Sequence, residues 1–249
     1  MTQQPPLIPV DIQRTEPAPF GSADCTHYGI GFDGLPYILK KVEKHNPLMP
    51  VAELVCSRMA ASSQIACATG HLANLPNGEQ AFASRAESGV LPPKMAASRL
   101  TTDAAFLLKV LGTISAIYAF DVFIRNIDRH FGNYLIRQTF AGADLMAVDH
   151  SRSLLVTGWP SKKIDLPHDC KTNLCQRILR KTQPLSQVDA VAAIDRLLQL
   201  DDDWFSRNIC DVPVVWWPAP QRQIVDRWWR RHRTKRLARI RRRLINGSL

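Results

Sequence analysis

Phe120–Ile136, FDVFIRNIDRHFGNYLI, is the segment whose reading decides the fold. Asn126, Asp128, Arg129, His130 and Asn133 are framed by Phe, Val, Ile, Tyr and Leu on both sides. Apolar flanks imply burial, and buried polar groups are costly unless they are hydrogen-bonded or bind a charge. The segment therefore calls for partners elsewhere in the chain, for a charged ligand, or for both.

The surrounding composition is that of a globular protein. The 249 residues are 45% hydrophobic and 22% charged, enough for one large domain or two packed lobes. Eleven of the 32 Lys and Arg residues lie between Arg222 and Leu249, against Asp226 alone. The remainder carries 21 basic and 21 acidic groups, so the net charge of +10 belongs to the C-terminal segment. The six cysteines form no CxxC pairs and read as reduced thiols of a cytoplasmic protein. The start, MTQQPPLIPV, has neither the basic nor the apolar region of a secretory signal. Residues 104–124 are long enough to span a bilayer, but Lys109, Thr113, Ser115 and Asp121 interrupt them. A buried core helix is expected there, and no transmembrane segment.

Working outward from the central stretch, the N-terminal part shows short extended segments. Asp33-Gly34, between HYGIGF and LPYILKKV, predicts a hairpin because Asp-Gly suits a turn that needs positive φ. A small antiparallel sheet is expected. The stretch after Pro50 predicts a helix with Val51, Leu54, Val55, Met59 and Ile65 on its apolar face and Gly70 as its stop. From Asp103 onward the chain reads as mostly helical, interrupted by a short buried strand at LMAVDHS and ending in a basic helix. The expectation is an α+β, bilobal fold, with an N-lobe over residues 1–90 and a helical C-lobe over 91–249.

Asp128 precedes Asn133 by five residues, and Asp149 ends the apolar run LMAV. Phosphoryl transfer needs a positioned nucleophile and neutralised phosphate charge, supplied largely by Mg²⁺. Mg²⁺ prefers oxygen ligands, which suits the Asn133 amide and the Asp149 carboxylate, while Asp128 is placed to orient an acceptor hydroxyl and take its proton. Protein-kinase catalytic loops use the same Asp-to-Asn spacing. Spacing alone leaves open that Asp128 and Asn133 merely make a turn. Lys40 lies on the strand after the hairpin and Glu53 in the first turn of the following helix, an arrangement that can clamp nucleotide phosphates. A solvated basic surface is the alternative, and a one-residue register slip would exchange Lys40 for Lys41.

The segments DGLPYILK, PVAELVCSRMA, AFASRAESGVLPP, FDVFIRNIDRHFGNYLI and LMAVDHS, in that order, resemble the HipA-like kinases. The Asp-Arg-His-x-x-Asn core is also similar to that of phosphatidylinositol kinases. The resemblance implies a protein-kinase-like fold, ATP and Mg²⁺ as cofactors, and Ser/Thr phosphorylation as the default activity, as in toxin–antitoxin kinases. It implies Lys40 as the nucleotide lysine, Glu53 as its partner, Asp128 as the catalytic residue, and Asn133 and Asp149 as metal ligands. A protein substrate and an antitoxin-like or regulatory partner follow from it. A catalytically silent binding module and a small-molecule or lipid kinase are the alternatives.

The departures are specific. No GxGxxG loop is present; only FGSAD stands where a phosphate-covering loop is expected, with Ser22 as a candidate autophosphorylation site. His130 reads as a brace for its loop. Residues 222–243 carry the charge for nucleic-acid contact, strengthened by Trp228 and Trp229. The favoured reading packs Ile224, Trp228, Leu237, Ile240 and Leu244 on the helical lobe and leaves the arginines solvated.

Overall fold

The computed structural model describes residues 8–22, 25–139, 142–161 and 163–249. Its N-terminal part is organised by the predicted hairpin. Strands β2 (Cys25–Gly31) and β3 (Pro36–Lys40) pair antiparallel, with Gly34 at φ 76° and Asp33 Oδ1 accepting from the Leu35 N–H at 3.0 Å. β1 (Val10–Ser22), β4 (Gly70–Asn74) and β5 (Gln80–Arg85) complete the order β1-β2-β3-β5-β4. The expected small antiparallel sheet is in fact a closed barrel, because β4 returns parallel to β1 at Val10↔Ala73 and Asp11↔Asn74. Ile12, Tyr37, Leu39, Ala73, Ala81 and Ala83 fill its interior. A Cβ at Gly29 would stand 2.8 Å from Leu39 Cδ1, so that glycine leaves room for the Leu39 side chain in the barrel interior. Phe20–Ser22 are part of β1; Ala23, Asp24 and the Ser22 side chain lie outside the described residues.

Helix α1 (Met49–Ser62) starts with Pro50 in its first turn, where the missing N–H costs nothing. It ends well before Gly70: Gln64 takes φ 51°, and Ile65 is buried beyond the helix. Gly70 instead opens β4. A Cβ there would lie 2.4 Å from Phe82 Cε2 and 2.8 Å from Ser57 Oγ, so this glycine lets α1 approach the barrel wall. Glu53 falls just past the first turn of α1 rather than within it.

The rest is helical around one hairpin. α2 (Pro93–Thr102) precedes α3 (Ala104–Ile124), which Asp103 caps by accepting from the Phe106 N–H at 2.9 Å, and Arg125 ends it at φ 56°. α3 is the one helix among the described residues long and apolar enough to cross a membrane. Its most apolar stretch is 72% buried, as befits a core helix. A strand absent from the sequence reading, β6 (Tyr134–Thr139), pairs with β7 (Gly142–Ala147). The strand ends at Ala147, so Asp149 is not borne on it but lies two residues beyond, at φ 62°.

α4 (Lys171–Thr182), α5 (Gln187–Leu198), α6 (Trp204–Asn208) and α7 (Ala219–Ile245) complete the helical part. α7 buries Val225, Trp229, Leu237, Ile240 and Leu244. The expected packing set needs three corrections. Ile224 is exposed, Trp229 rather than Trp228 is the fully sealed indole, and Arg233 and Arg236 are buried rather than solvated. Arg236 donates to the carbonyls of Val122, Phe123, Ser161 and Lys163, which lets a charged group replace an apolar one in the core. Cys56, Cys67, Cys170, Cys175 and Cys210 are free thiols, and burial pushes Cys67 and Cys175 up to about 12, as inert packing residues.

Candidate active site

Strand alternation decides between the two lysines. Tyr37 and Leu39 point into the barrel, so Lys40 leaves it on the opposite face and is covered by α1. Lys41 lies at the surface, 2.9 Å from Glu79. The Lys40 ammonium is bonded to Glu53 Oε1 and lies 2.9 Å from Asp149 Oδ1. Glu53 Oε2 in turn accepts the His150 N–H at 3.0 Å. One buried carboxylate thus ties the barrel lysine to the segment after β7.

These charges set each other's protonation. Burial alone would push Lys40 down, but the Glu53 and Asp149 carboxylates outweigh it and hold the ammonium above its ordinary range. Burial would likewise raise Glu53 and Asp149, yet Lys40 draws both below the usual carboxylate range, with Ser151 hydrogen bonds helping at Asp149. The Lys40 and Glu53 side chains are 7% and 3% exposed, whereas Asp149 and Asp128 reach 26% and 27%. The cation and its brace are largely buried, with the lysine side chain still slightly exposed, and the two carboxylates are open to a ligand.

Asp128 and Asn133 are held by a scaffold that reading the sequence did not resolve. Asp121, on α3, makes a two-pronged pair with Arg129, at 2.9 Å to Nε and 3.0 Å to Nη2, and both side chains are fully buried. Asn126 donates to Asp121 Oδ1 at 2.8 Å and accepts the Asp128 N–H at 3.1 Å. Arg129 Nη1 donates to the carbonyl of Asn133 at 3.1 Å and also to that of Val148. The Val148 N–H closes the junction at 3.0 Å on the same Asn133 carbonyl. Arg129 is therefore a strut between the loop that carries Asp128 and Asn133 and the segment that carries Asp149. Much of the buried charge in FDVFIRNIDRHFGNYLI answers to this strut rather than to a ligand.

Lys171 was also missed. Thr172 Oγ1 accepts the Arg129 N–H at 3.0 Å and donates to the Asn126 carbonyl at 2.7 Å, pinning the start of α4 to the loop. Lys171, the first residue of α4, then stands 2.7 Å from Asp128 Oδ1. A cation at a helix N-terminus opposes the helix dipole, and that misfit was the available signal. His130 braces the loop as expected, its Nδ1 accepting the Gly132 N–H at 3.1 Å. Burial lowers its protonation tendency, and the Asp128 and Asp149 carboxylates offset this only in part. His150 is buried against Phe120, with its Nδ1 3.7 Å from Glu53 Oε2 and its Nε2 3.9 Å from Cys67 Sγ.

The residues present fit a Mg²⁺-nucleotide. Asn133 is buried and commits its amide nitrogen to the Asp128 carbonyl at 3.2 Å, which leaves its own side-chain oxygen as the group to meet a cation. No cluster of three or more His, Cys, Asp or Glu forms among the described residues. Such a cluster is not required, since Mg²⁺ keeps waters and phosphate oxygens and uses one or two carboxylates. Two concavities, of about 100 and 370 Å³, lie elsewhere, beside Tyr118 and Arg177 and beside Lys109 and Arg137. Neither is lined by Lys40, Asp128 or Asp149.

No protein-family profile matches the sequence, and no curated protein is significantly similar to it. Solved structures do match. The Helicobacter pylori proinflammatory kinase CtkA aligns over 97% of this chain and 100% of its own, with a TM-score of 0.62 at 16% identity. HipA of the Shewanella oneidensis MR-1 toxin–antitoxin system, in complex with HipB and operator DNA, aligns with a TM-score of 0.51 at 13% identity. That match covers 84% of this chain and 58% of the other, so this chain spans little more than half of it. The chain has the HipA-like kinase fold.

Proposed function

We propose that this protein is an ATP- and Mg²⁺-dependent phosphotransferase acting on an alcohol group, a protein serine/threonine kinase of the HipA-like type. One observation carries the reading: Lys40 contacts both Glu53 and Asp149, while Arg129 ties the Asp149 segment to the loop of Asp128 and Asn133. In this reading residues 1–90 bind nucleotide and residues 91–249 supply the catalytic loop. Lys40, oriented by Glu53, grips the nucleotide phosphates; Asn133 and Asp149 hold Mg²⁺, which neutralises phosphate charge when bound. Asp128 orients the acceptor hydroxyl and receives its proton. Lys171 fixes one Asp128 oxygen and offsets a negative charge that would otherwise repel the phosphate. A cytoplasmic location and an antitoxin-like or regulatory partner belong to the same proposal.

The test combines binding and turnover. Millimolar Mg-ATP should raise the melting temperature, since a ligand of the folded state stabilises it. Labelled ATP should transfer phosphate to the protein itself or to a lysate component. Asp128→Ala and Asp149→Ala should abolish transfer, and Lys171→Met should slow it about 10²-fold, with partial recovery in Lys171→Arg. Undiminished transfer by Asp128→Ala would refute the assignment. A Mg-ATP shift without transfer by the wild-type protein would favour a nucleotide-binding regulator.

A further inference from the structure

The eleven cations of α7 fall into two groups. Six serve the fold: Arg222, Arg233 and Arg236 donate to main-chain carbonyls, and Arg230, Arg241 and Arg243 pair with Asp203, Asp195 and Asp165. The other five, Arg227, Arg231, Lys235, Arg239 and Arg242, are all exposed. They have no hydrogen bond or ion pair with any described residue. Their spacing is four, four, four and three residues, so they form one continuous row on the side of α7 opposite Trp229, Arg236 and Ile240. At 1.5 Å per residue the row is about 22 Å long.

Like charges at this spacing repel by a few tenths of a kcal/mol per pair, and nothing described in the chain relieves them. We propose that the row is a binding surface for the phosphate backbone of a nucleic acid. A strand presents a phosphate about every 3.4 Å of helix axis, so about 22 Å offers roughly six phosphates to five cations. A membrane-bound helix needs apolar side chains among its cations. Here Thr234 and Ala238 lie among them, the apolar face is sealed in the core, and exposed Ile224 and Ile245 stand only beyond the two ends. Trp229 is fully buried and Trp228 packs on Trp159 at 4.3 Å, so the tryptophans are committed to the fold. The contact is electrostatic and indifferent to base sequence. It does not depend on the phosphotransfer reading.

The experiment uses the full chain with a fluorescent 20-base-pair duplex, a single-stranded 20-mer and vesicles containing phosphatidylserine. Both oligonucleotides should bind at 50 mM salt. If all five cations engage, log Kobs should fall against log salt with a slope near −4.5 for duplex and near −3.5 for single strand. The duplex slope corresponds to an affinity about 500-fold weaker at 200 mM. The triple variant Arg231→Glu/Lys235→Glu/Arg239→Glu should lose binding and keep the wild-type melting temperature, since these side chains are exposed and form no hydrogen bond or ion pair with a described residue. Any one of four results overturns the proposal: no oligonucleotide binding at 50 mM salt, a slope shallower than about −2, equal binding by a folded triple variant, or binding to vesicles alone.

Discussion

Arg129→Met tests the central strut. The substitution keeps an unbranched stem but removes the guanidinium, which strands the fully buried Asp121 carboxylate and leaves the Asn133 and Val148 carbonyls without their guanidinium donor. Breaking a buried ion pair on one side costs about 3–5 kcal/mol, and the Val148 carbonyl left unpaired about 1–3, while the Asn133 carbonyl keeps the Val148 N–H. These losses overlap, because they share one side chain, so a total of about 5 kcal/mol is expected. That is a large part of the roughly 5–15 kcal/mol that keeps a domain folded. In urea, with m on the order of 2–3 kcal/mol/M, the midpoint should fall by about 2 M. Arg129→Lys keeps the charge but not the fork, and should remain folded at a cost of about 2–3 kcal/mol. The double variant Asp121→Asn/Arg129→Met removes both charges, so its loss should be at least about 2 kcal/mol less than the sum of the single losses. A loss below about 1 kcal/mol in Arg129→Met at unchanged m, or strict additivity in the cycle, would refute the strut.

Two further predictions follow from the same neighbourhood. Glu53 and Asp149 are held below their ordinary values of 4.5 and 3.8, so the stability they contribute is full above those values and is lost as pH falls below them. Lys40→Met removes the cation that draws them down. Burial then raises both carboxyls, so the variant's melting temperature should fall less steeply with acid than that of the wild type, or rise, and parallel acid limbs would contradict the coupling. Gly70→Ala would force a Cβ to within 2.4 Å of Phe82 and 2.8 Å of Ser57. Overpacking of this kind costs about 1–3 kcal/mol; a urea midpoint equal to wild type would show that α1 does not pack so closely on β4.

Local chemistry carried the sequence reading a long way. Asp33-Gly34 marked the hairpin, the apolar run from Ala104 to Ile124 marked the core helix, and the residues Lys40, Glu53, Asp128, Asn133 and Asp149 were singled out by type and spacing. What escaped it depends on groups distant in the chain. The barrel closes through Val10↔Ala73, Arg129 supports a carbonyl 19 residues away, and Lys171 meets Asp128 from the start of another helix. Gly70 looked like a helix stop because its need for a missing Cβ arises from Phe82 and Ser57, not from its own neighbours.

The sequence by itself determined which residues are apolar, where tight turns are permitted and where the excess charge lies, because these are properties of side chains and short spacings. Only the tertiary structure decided that Lys40 rather than Lys41 is buried beside Asp149, and which six α7 cations are engaged and which five have no partner among the described residues. Those outcomes depend on strand register and helix packing, where a shift of one residue turns a side chain from the interior to solvent.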